Sequence, residues 1–182
     1  MGKAAKIVLG VAVAVTALGA GIYLQLTRHA TDASTEGVAV LTRTALPDLS
    51  GKRLTLAAWK GKVLVVNFWA TWCAPCRKEI PGLISVQREN AANGAQVVGI
   101  AVDQADNVQA FAKELGINYP VLIAGMDGVD LVRKVGNPTG ALPFTIVLDR
   151  SGKVVMTHLG LVSEQELRKL LVPLVADAAK SG

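Results

Sequence analysis

The sequence predicts an α/β domain: a mixed central β-sheet flanked by helices, with an N-terminal β-hairpin and an αβ insertion, preceded by one transmembrane helix. Three observations carry this. Two runs, Val63–Trp69 and Gln96–Val102, are apolar on both faces, as strands covered on both sides must be. Segments with helically spaced apolar residues alternate with such runs. An uncharged stretch from Ile7 to Leu26 stands ahead of everything else.

That stretch has twenty residues, enough for a helix of about 30 Å, the thickness of a hydrocarbon core. Lys3 and Lys6 precede it and Arg28 follows, which keeps the start of the chain cytoplasmic and sends the rest across. A cleaved signal would need small residues before the cut; Ala17-Leu18-Gly19 and Leu18-Gly19-Ala20 are imperfect versions. The length favours an uncleaved anchor. No cysteine lies in the first 72 residues, which excludes a lipoprotein. The expected division is therefore an anchor or signal segment over 1–27, a linker over 28–37 (small and polar, RHATDASTEG) and one domain over 38–182.

Within the domain, Val38–Leu46 and Arg53–Leu56 flank the turn Pro47-Asp48-Leu49-Ser50-Gly51 and read as a hairpin. Val63–Trp69 follows as a buried strand. A helix begins after Cys73, with Ile80, Leu83, Ile84 and Val86 on its apolar side, a kink expected at Pro81 and an end at Asn93-Gly94. Gln96–Val102 is the next strand, Asn107–Leu115 a helix capped by Gly116, Pro120–Ile123 a short strand and Gly128–Val135 a short helix. Phe144–Leu148 and Val154–His158 form a hairpin around Asp149-Arg150-Ser151-Gly152. Ser163 and Glu166 offer a capping box for a last helix bearing Leu167, Leu170, Leu171 and Leu174, which Pro173 is expected to shorten.

Composition removes several function classes. Of 182 residues, 51% are hydrophobic, which excludes a disordered chain. Two cysteines exclude a disulfide scaffold, and two histidines 129 residues apart make a four-ligand zinc site implausible. The net charge of +5 falls to +3 without Lys3 and Lys6, and the aromatics are not interleaved with a basic cluster. No nucleic-acid partner is expected. His29 and His158 read as isolated surface or strand residues.

Cys73-Ala74-Pro75-Cys76 carries the chemistry. The spacing places two sulfurs within disulfide reach in a first helical turn, where unpaired N–H groups favour a thiolate. Cys73 is the expected nucleophile, and Cys76, one turn in, the resolving thiol. Pro75 stands where a missing N–H costs little. A purely structural disulfide is a poor alternative, because so short a loop removes little entropy from the unfolded chain. Cu(I) carriage by the two soft thiolates stays open. Glu79, three residues after Cys76, lies on the same helix face, which makes it either a solvent-facing carboxylate or a half-buried acid relaying a proton.

The string Phe68-Trp69-Ala70-Thr71-Trp72-Cys73-Ala74-Pro75-Cys76-Arg77-Lys78-Glu79 resembles the active-site signature of the thioredoxin superfamily. More narrowly, it is similar to the TlpA/ResA-type membrane-anchored thiol:disulfide oxidoreductases of the bacterial cell envelope. The resemblance includes Gly140–Asp149 and most of residues 40–175, whereas Val40-Leu41-Thr42-Arg43-Thr44 departs from the usual proline-aromatic opening. It implies a thioredoxin-like fold and a cis Pro143 facing the dithiol, with the Leu142 backbone pairing with a bound substrate strand and Trp72 and Pro75 flanking it. It also implies disulfide exchange in exported proteins, with an apocytochrome c or an oxidase copper-site subunit as partner.

The expected activity is a thiol:disulfide oxidoreductase on the periplasmic or extracytoplasmic side of the membrane, most readily a reductant. Cys73 and Cys76 form its redox disulfide, a membrane thiol donor re-reduces it, and no metal or cofactor is needed. The rivals are a disulfide-forming oxidant, a Cu(I)-handling factor for oxidase assembly and, from the flavour of Ala101-Val102-Asp103, a peroxidase.

Overall fold

The structure, a computed structural model, describes Gly2 and residues 36–176. The expected membrane segment over 1–27, Gly2 apart, and residues 28–35 of the expected linker lie outside the described residues. Among the described residues, no helix is long and apolar enough to cross a membrane.

Five strands form the main sheet: β3 (Val63–Trp69), β4 (Ala95–Ala101), β5 (Val121–Ile123), β6 (Phe144–Leu148) and β7 (Val154–Leu159), in spatial order β5-β4-β3-β6-β7. β3, β4 and β5 are parallel, while β6 and β7 run antiparallel to their neighbours. The mixed sheet and the thioredoxin-like α/β order are as the sequence implies. β3 sits at the centre, and all seven of its residues are buried.

Alternation along β3 divides the core in two. Val63, Val65 and Trp69 face one side, where they meet Ile80, Leu83 and Val86 of α2 (Ala74–Asn90), Phe111 of α3 (Ala105–Leu115) and Leu167 and Leu171 of α5 (Glu164–Ala176). Leu64, Val66 and Phe68 face the other side with Val98, Ile100, Ile146 and, from α4 (Gly128–Lys134), Val132. Each such aliphatic side chain contributes about 1.5–3 kcal/mol by leaving water. Asn67 shares the α2-facing side of β3, a polar residue where only apolar ones are otherwise found.

One expectation is overturned at the start of the domain. Val38–Thr44 is not a strand: residues 36–43 are helical (α1). Val38 and Leu41, spaced for a helix, are buried, and both join the cluster around Val132 and Val135. The hydroxyls of Thr42 and Thr44 donate back to the carbonyls of Val38 and Val40 at 2.7 and 2.8 Å, which makes these β-branched residues compatible with the helix. The hairpin is reduced to β1 (Leu46–Pro47) and β2 (Arg53–Leu54), two residues each. A 3-10 turn, Leu56–Trp59, follows and buries Leu56.

Both helix-internal prolines lie within continuous helices. α2 remains one helix through Pro81, and α5 continues past Pro173 to Ala176. Ser163 caps α5 through Glu166 N–H at 3.1 Å. The Glu166 carboxylate does not complete the box; it lies 3.8 Å from the His158 ring.

Candidate active site

The site lies where β3 ends. After Trp69 the chain turns, and Cys73 becomes the N-cap of α2, with Pro75 in the first turn. A disulfide joins Cys73 and Cys76, whose Cα atoms are 5.3 Å apart. Cys73 Sγ accepts the Cys76 N–H at 3.3 Å. The sulfur that caps the helix therefore receives a backbone donor that would stabilise it as a thiolate. Both cysteines are buried, Cys73 at 6% exposure and Cys76 at 1%, so an incoming sulfur meets Cys73 first.

Strand register brings the proline to the same end of the sheet. Phe68 pairs with Phe144, so Pro143 stands at the edge where β3 gives way to the dithiol. The Leu142–Pro143 peptide is cis, the conformation the resemblance implies. Trp72 is 60% exposed beside Cys73. It packs into no core and presents its indole to solvent at the mouth of the site.

Glu79 is fully inside, not half-buried. Its exposure is 4%. One carboxylate oxygen accepts the Val162 N–H at 2.8 Å, and the other accepts from Asn67 Nδ2. The same Asn67 nitrogen donates to Thr145 Oγ1 at 3.0 Å. The carboxyl is thus held by α2, β3 and the segment before α5, with β6 one hydrogen bond further on. No cation pairs with it among the described residues. Burial pushes its pKa up to about 7, against the opposing pull of the Val162 and Asn67 hydrogen bonds. A carboxyl that exchanges its proton near neutrality, one turn along the helix from Cys76, can take the proton of a resolving thiol.

Spacing within one helix identified Cys73, Cys76 and Glu79. It missed Asn67 and Val162, which bond to Glu79 from 12 and 83 residues away, and Thr145, which bonds to Asn67. It also missed Asp103, 2% exposed, which holds the loop before Cys73 by accepting from Thr71. Asn67 was the one visible sign, an amide inside an otherwise apolar strand. Among the described residues, no group of three or more His, Cys, Asp or Glu side chains is placed to hold a metal ion. His158 lies on β7 with a ring nitrogen 3.2 Å from the Leu161 carbonyl.

The AhpC/TSA family model matches residues 39–169. The chain is 33% identical over 125 residues to the thiol-disulfide oxidoreductase ResA of Bacillus thuringiensis (strain Al Hakam), covering 68% of this chain and 70% of that protein. It is 34% identical over 122 residues to ResA of Bacillus subtilis (strain 168), covering 65% of each. Among solved structures, a secreted thiol-disulfide isomerase from Corynebacterium glutamicum superposes with a TM-score of 0.66 at 29% identity, covering 73% of this chain and 83% of that one.

Proposed function

The chain belongs to the AhpC/TSA family and is a thiol:disulfide oxidoreductase of thioredoxin-like fold, and from that premise we propose that it works as a reductant of disulfides in exported proteins. The observation that supports the exchange cycle is the buried carboxyl of Glu79, poised near neutrality one helical turn from Cys76, where it can take or return a proton; the direction is set by the reduction potential. In the reductive cycle the Cys73 thiolate attacks one sulfur of a substrate disulfide. A Cys73–substrate bond forms and the other substrate sulfur leaves as a thiolate. Glu79 then takes the proton of Cys76, whose thiolate attacks Cys73 Sγ and expels the second substrate sulfur. Two electrons have passed to the substrate, and the Cys73–Cys76 disulfide is the oxidised product.

Return to the dithiol requires two electrons from outside the domain. We assign this step to a membrane thiol donor, with the chain anchored through residues 1–27 and the domain on the extracytoplasmic side. The uncharged run Ile7–Leu26 supports that placement. The proposed clients are exported chains with an accessible disulfide, of the kind found in haem-attachment or copper-site proteins. The exposed Trp72 and the Leu142–Pro143 edge offer such a chain an aromatic and an extended backbone to dock on.

A redox titration against glutathione or dithiothreitol tests the direction. The reductant reading expects a potential on the thioredoxin side of the range from about −270 to about −120 mV. A potential near the oxidising end of that range would reassign the protein as a disulfide-forming oxidant.

A further inference from the structure

Three polar atoms in the core beneath the dithiol have no hydrogen-bond partner among the described residues: Asn67 Oδ1, Trp69 Nε1 and the Tyr119 hydroxyl. Their side chains are buried, with residue exposures of 1%, 0% and 5%. They are not scattered. Asn67 pairs in register with Gly99 on β4, so the two residues face the same side of the sheet, and Trp69, two residues on, faces it as well. A Cβ on Gly99 would lie 2.9 Å from Trp69 Nε1 and 3.2 Å from Tyr119 Cε2. The three side chains converge on one glycine, whose bare backbone lets the indole and the phenol come this close.

The set is chemically complementary. The amide oxygen accepts, the indole N–H donates and the phenol does both. Buried polar groups in native cores find partners in protein or in ordered water, and a water needs two to four polar neighbours. Glu79 borders the cluster, since Asn67 donates to it and its charge adds to the burial that raises the Tyr119 hydroxyl above its ordinary range.

We propose that Asn67, Trp69 and Tyr119 bind one internal water molecule beside Gly99, and that this water stabilises the ionised form of the neighbouring Glu79 carboxyl. The water site stands on geometry alone; its role rests on the reading of Glu79 as the proton acceptor. The groups that face Glu79 leave Tyr119 as the titratable neighbour to consider. From β3 it meets the neutral Asn67, which in turn bonds to Thr145 of β6; on its own helix the Cys73–Cys76 disulfide does not titrate, Arg77 lies over the Phe111 ring and Lys78 is exposed. On α5, Glu164 packs beside Gly82 but is paired with Arg168. Asp103, just beyond β4, is bonded to Thr71.

The test uses the full chain, oxidised, in detergent micelles, with ¹⁵N and ¹³C labels. The Trp69 indole proton should show a nuclear Overhauser contact to water with the sign of a long-lived bound molecule. Tyr119→Phe should weaken it at least twofold. The same variant should make Glu79 bind its proton about fivefold more tightly, as expected for the loss of one hydrogen-bonding group, read from the titration of its carboxyl carbon. Should Tyr119→Phe fold poorly, Gly99→Ala sets a methyl between indole and phenol and should remove the water contact. A wild-type indole proton without a water contact would overturn the site. A water contact with an unchanged Glu79 titration in Tyr119→Phe would overturn the role. Normal resolution kinetics in Glu79→Gln would sink the proton-acceptor reading and leave the water contact unaffected, so the failures are distinguishable.

Discussion

Asp103, just beyond β4, accepts both the backbone N–H of Thr71, at 3.1 Å, and its hydroxyl. The same carboxylate accepts from Gln104 N–H at 2.7 Å and Asn107 Nδ2 at 3.1 Å. Four donors thus converge on one buried acid, two of them from the loop that ends two residues later in the nucleophile. Burial works against its ionisation, but the bonds from Thr71, Asn107 and Gln104 together prevail and keep its pKa below the ordinary carboxylate range. Asp103→Ala should cost about 2–3 kcal/mol, because the donors are left unpaired. Urea denaturation would measure it. The variant should also alkylate at Cys73 with an altered rate, since the turn that presents Cys73 loses its clamp. Unchanged stability and alkylation would show that the clamp is redundant.

Glu79 makes stability depend on pH in a direction opposite to that of ordinary salt-bridged acids. Its pKa in the fold is about 7, raised from 4.5. The folded protein therefore binds the proton more tightly than the unfolded chain. The resulting stabilisation is fully present below the unfolded value and is lost as pH rises through the folded one. Across that window the oxidised protein should lose on the order of 3 kcal/mol, levelling off above pH 7. Glu79→Gln should flatten the slope while slowing resolution of a mixed disulfide by roughly a hundredfold. Denaturation midpoints at a series of pH values, with stopped-flow resolution kinetics, would read both effects. A pH-independent midpoint in the native sequence would contradict the burial of a titrating carboxyl.

The strands and helices that build the site could be recognised locally, whereas its polar support could not. Val63–Trp69 is unmistakable because every residue is buried, and a strand covered on both faces must be apolar almost throughout, as this one is but for Asn67. The dithiol, the cap by Cys73 and the position of Glu79 follow from spacing within one helix. The Asn67–Thr145 bond and the Val162–Glu79 bond join residues 78 and 83 apart, and nothing in local periodicity reports such pairs. The error over residues 36–43 has a different cause. Val38, Val40, Thr42 and Thr44 alternate as in a strand, and β-branched residues favour strands. The hydroxyl bonds back to Val38 and Val40, and the burial of Val38 and Leu41 against the Val132 cluster, override that preference.

At the other end of the domain, Ser163 supplies the one side-chain cap of α5 seen among the described residues, through Glu166 N–H. Its loss leaves an amide to solvent and frays the first turn. Ser163→Ala should lower stability by about 1 kcal/mol, and Ser163→Asp should restore it. The effect should extend to the site, because Val162, next to the cap, donates the N–H that holds Glu79. Thermal denaturation of both variants, with the Glu79 carboxyl followed by ¹³C resonance, would check this. A destabilised helix with an unmoved Glu79 signal would mean that Val162 is held independently of the cap.

The division of labour between the two cysteines yields the prediction that reaches furthest, because it identifies the partner. Cys73 caps the helix and is the more accessible of the two, while Cys76 is sealed at 1% exposure. An incoming disulfide therefore meets Cys73, and Cys76 can act only on a sulfur already bound there. Cys76→Ser keeps the helix N-terminus that activates Cys73, but a serine hydroxyl cannot displace the bound sulfur. Mixed disulfides should accumulate and persist until an external thiol cleaves them. Cys73→Ser should trap nothing. Expressed in its native cells, the Cys76→Ser variant should give adducts sensitive to dithiothreitol on non-reducing gels, with the attached chains identified by mass spectrometry. Chains bearing C-x-x-C-H motifs would place the protein in cytochrome c maturation, and a copper-site subunit would place it in oxidase assembly. Trp72→Ala should shorten the list or weaken the adducts, because its indole, 60% exposed, stands next to Cys73 in the chain. If Cys73→Ser trapped partners and Cys76→Ser did not, the roles of attacking and resolving thiol would be exchanged, and the 6% exposure of Cys73 would have no part in choosing the nucleophile.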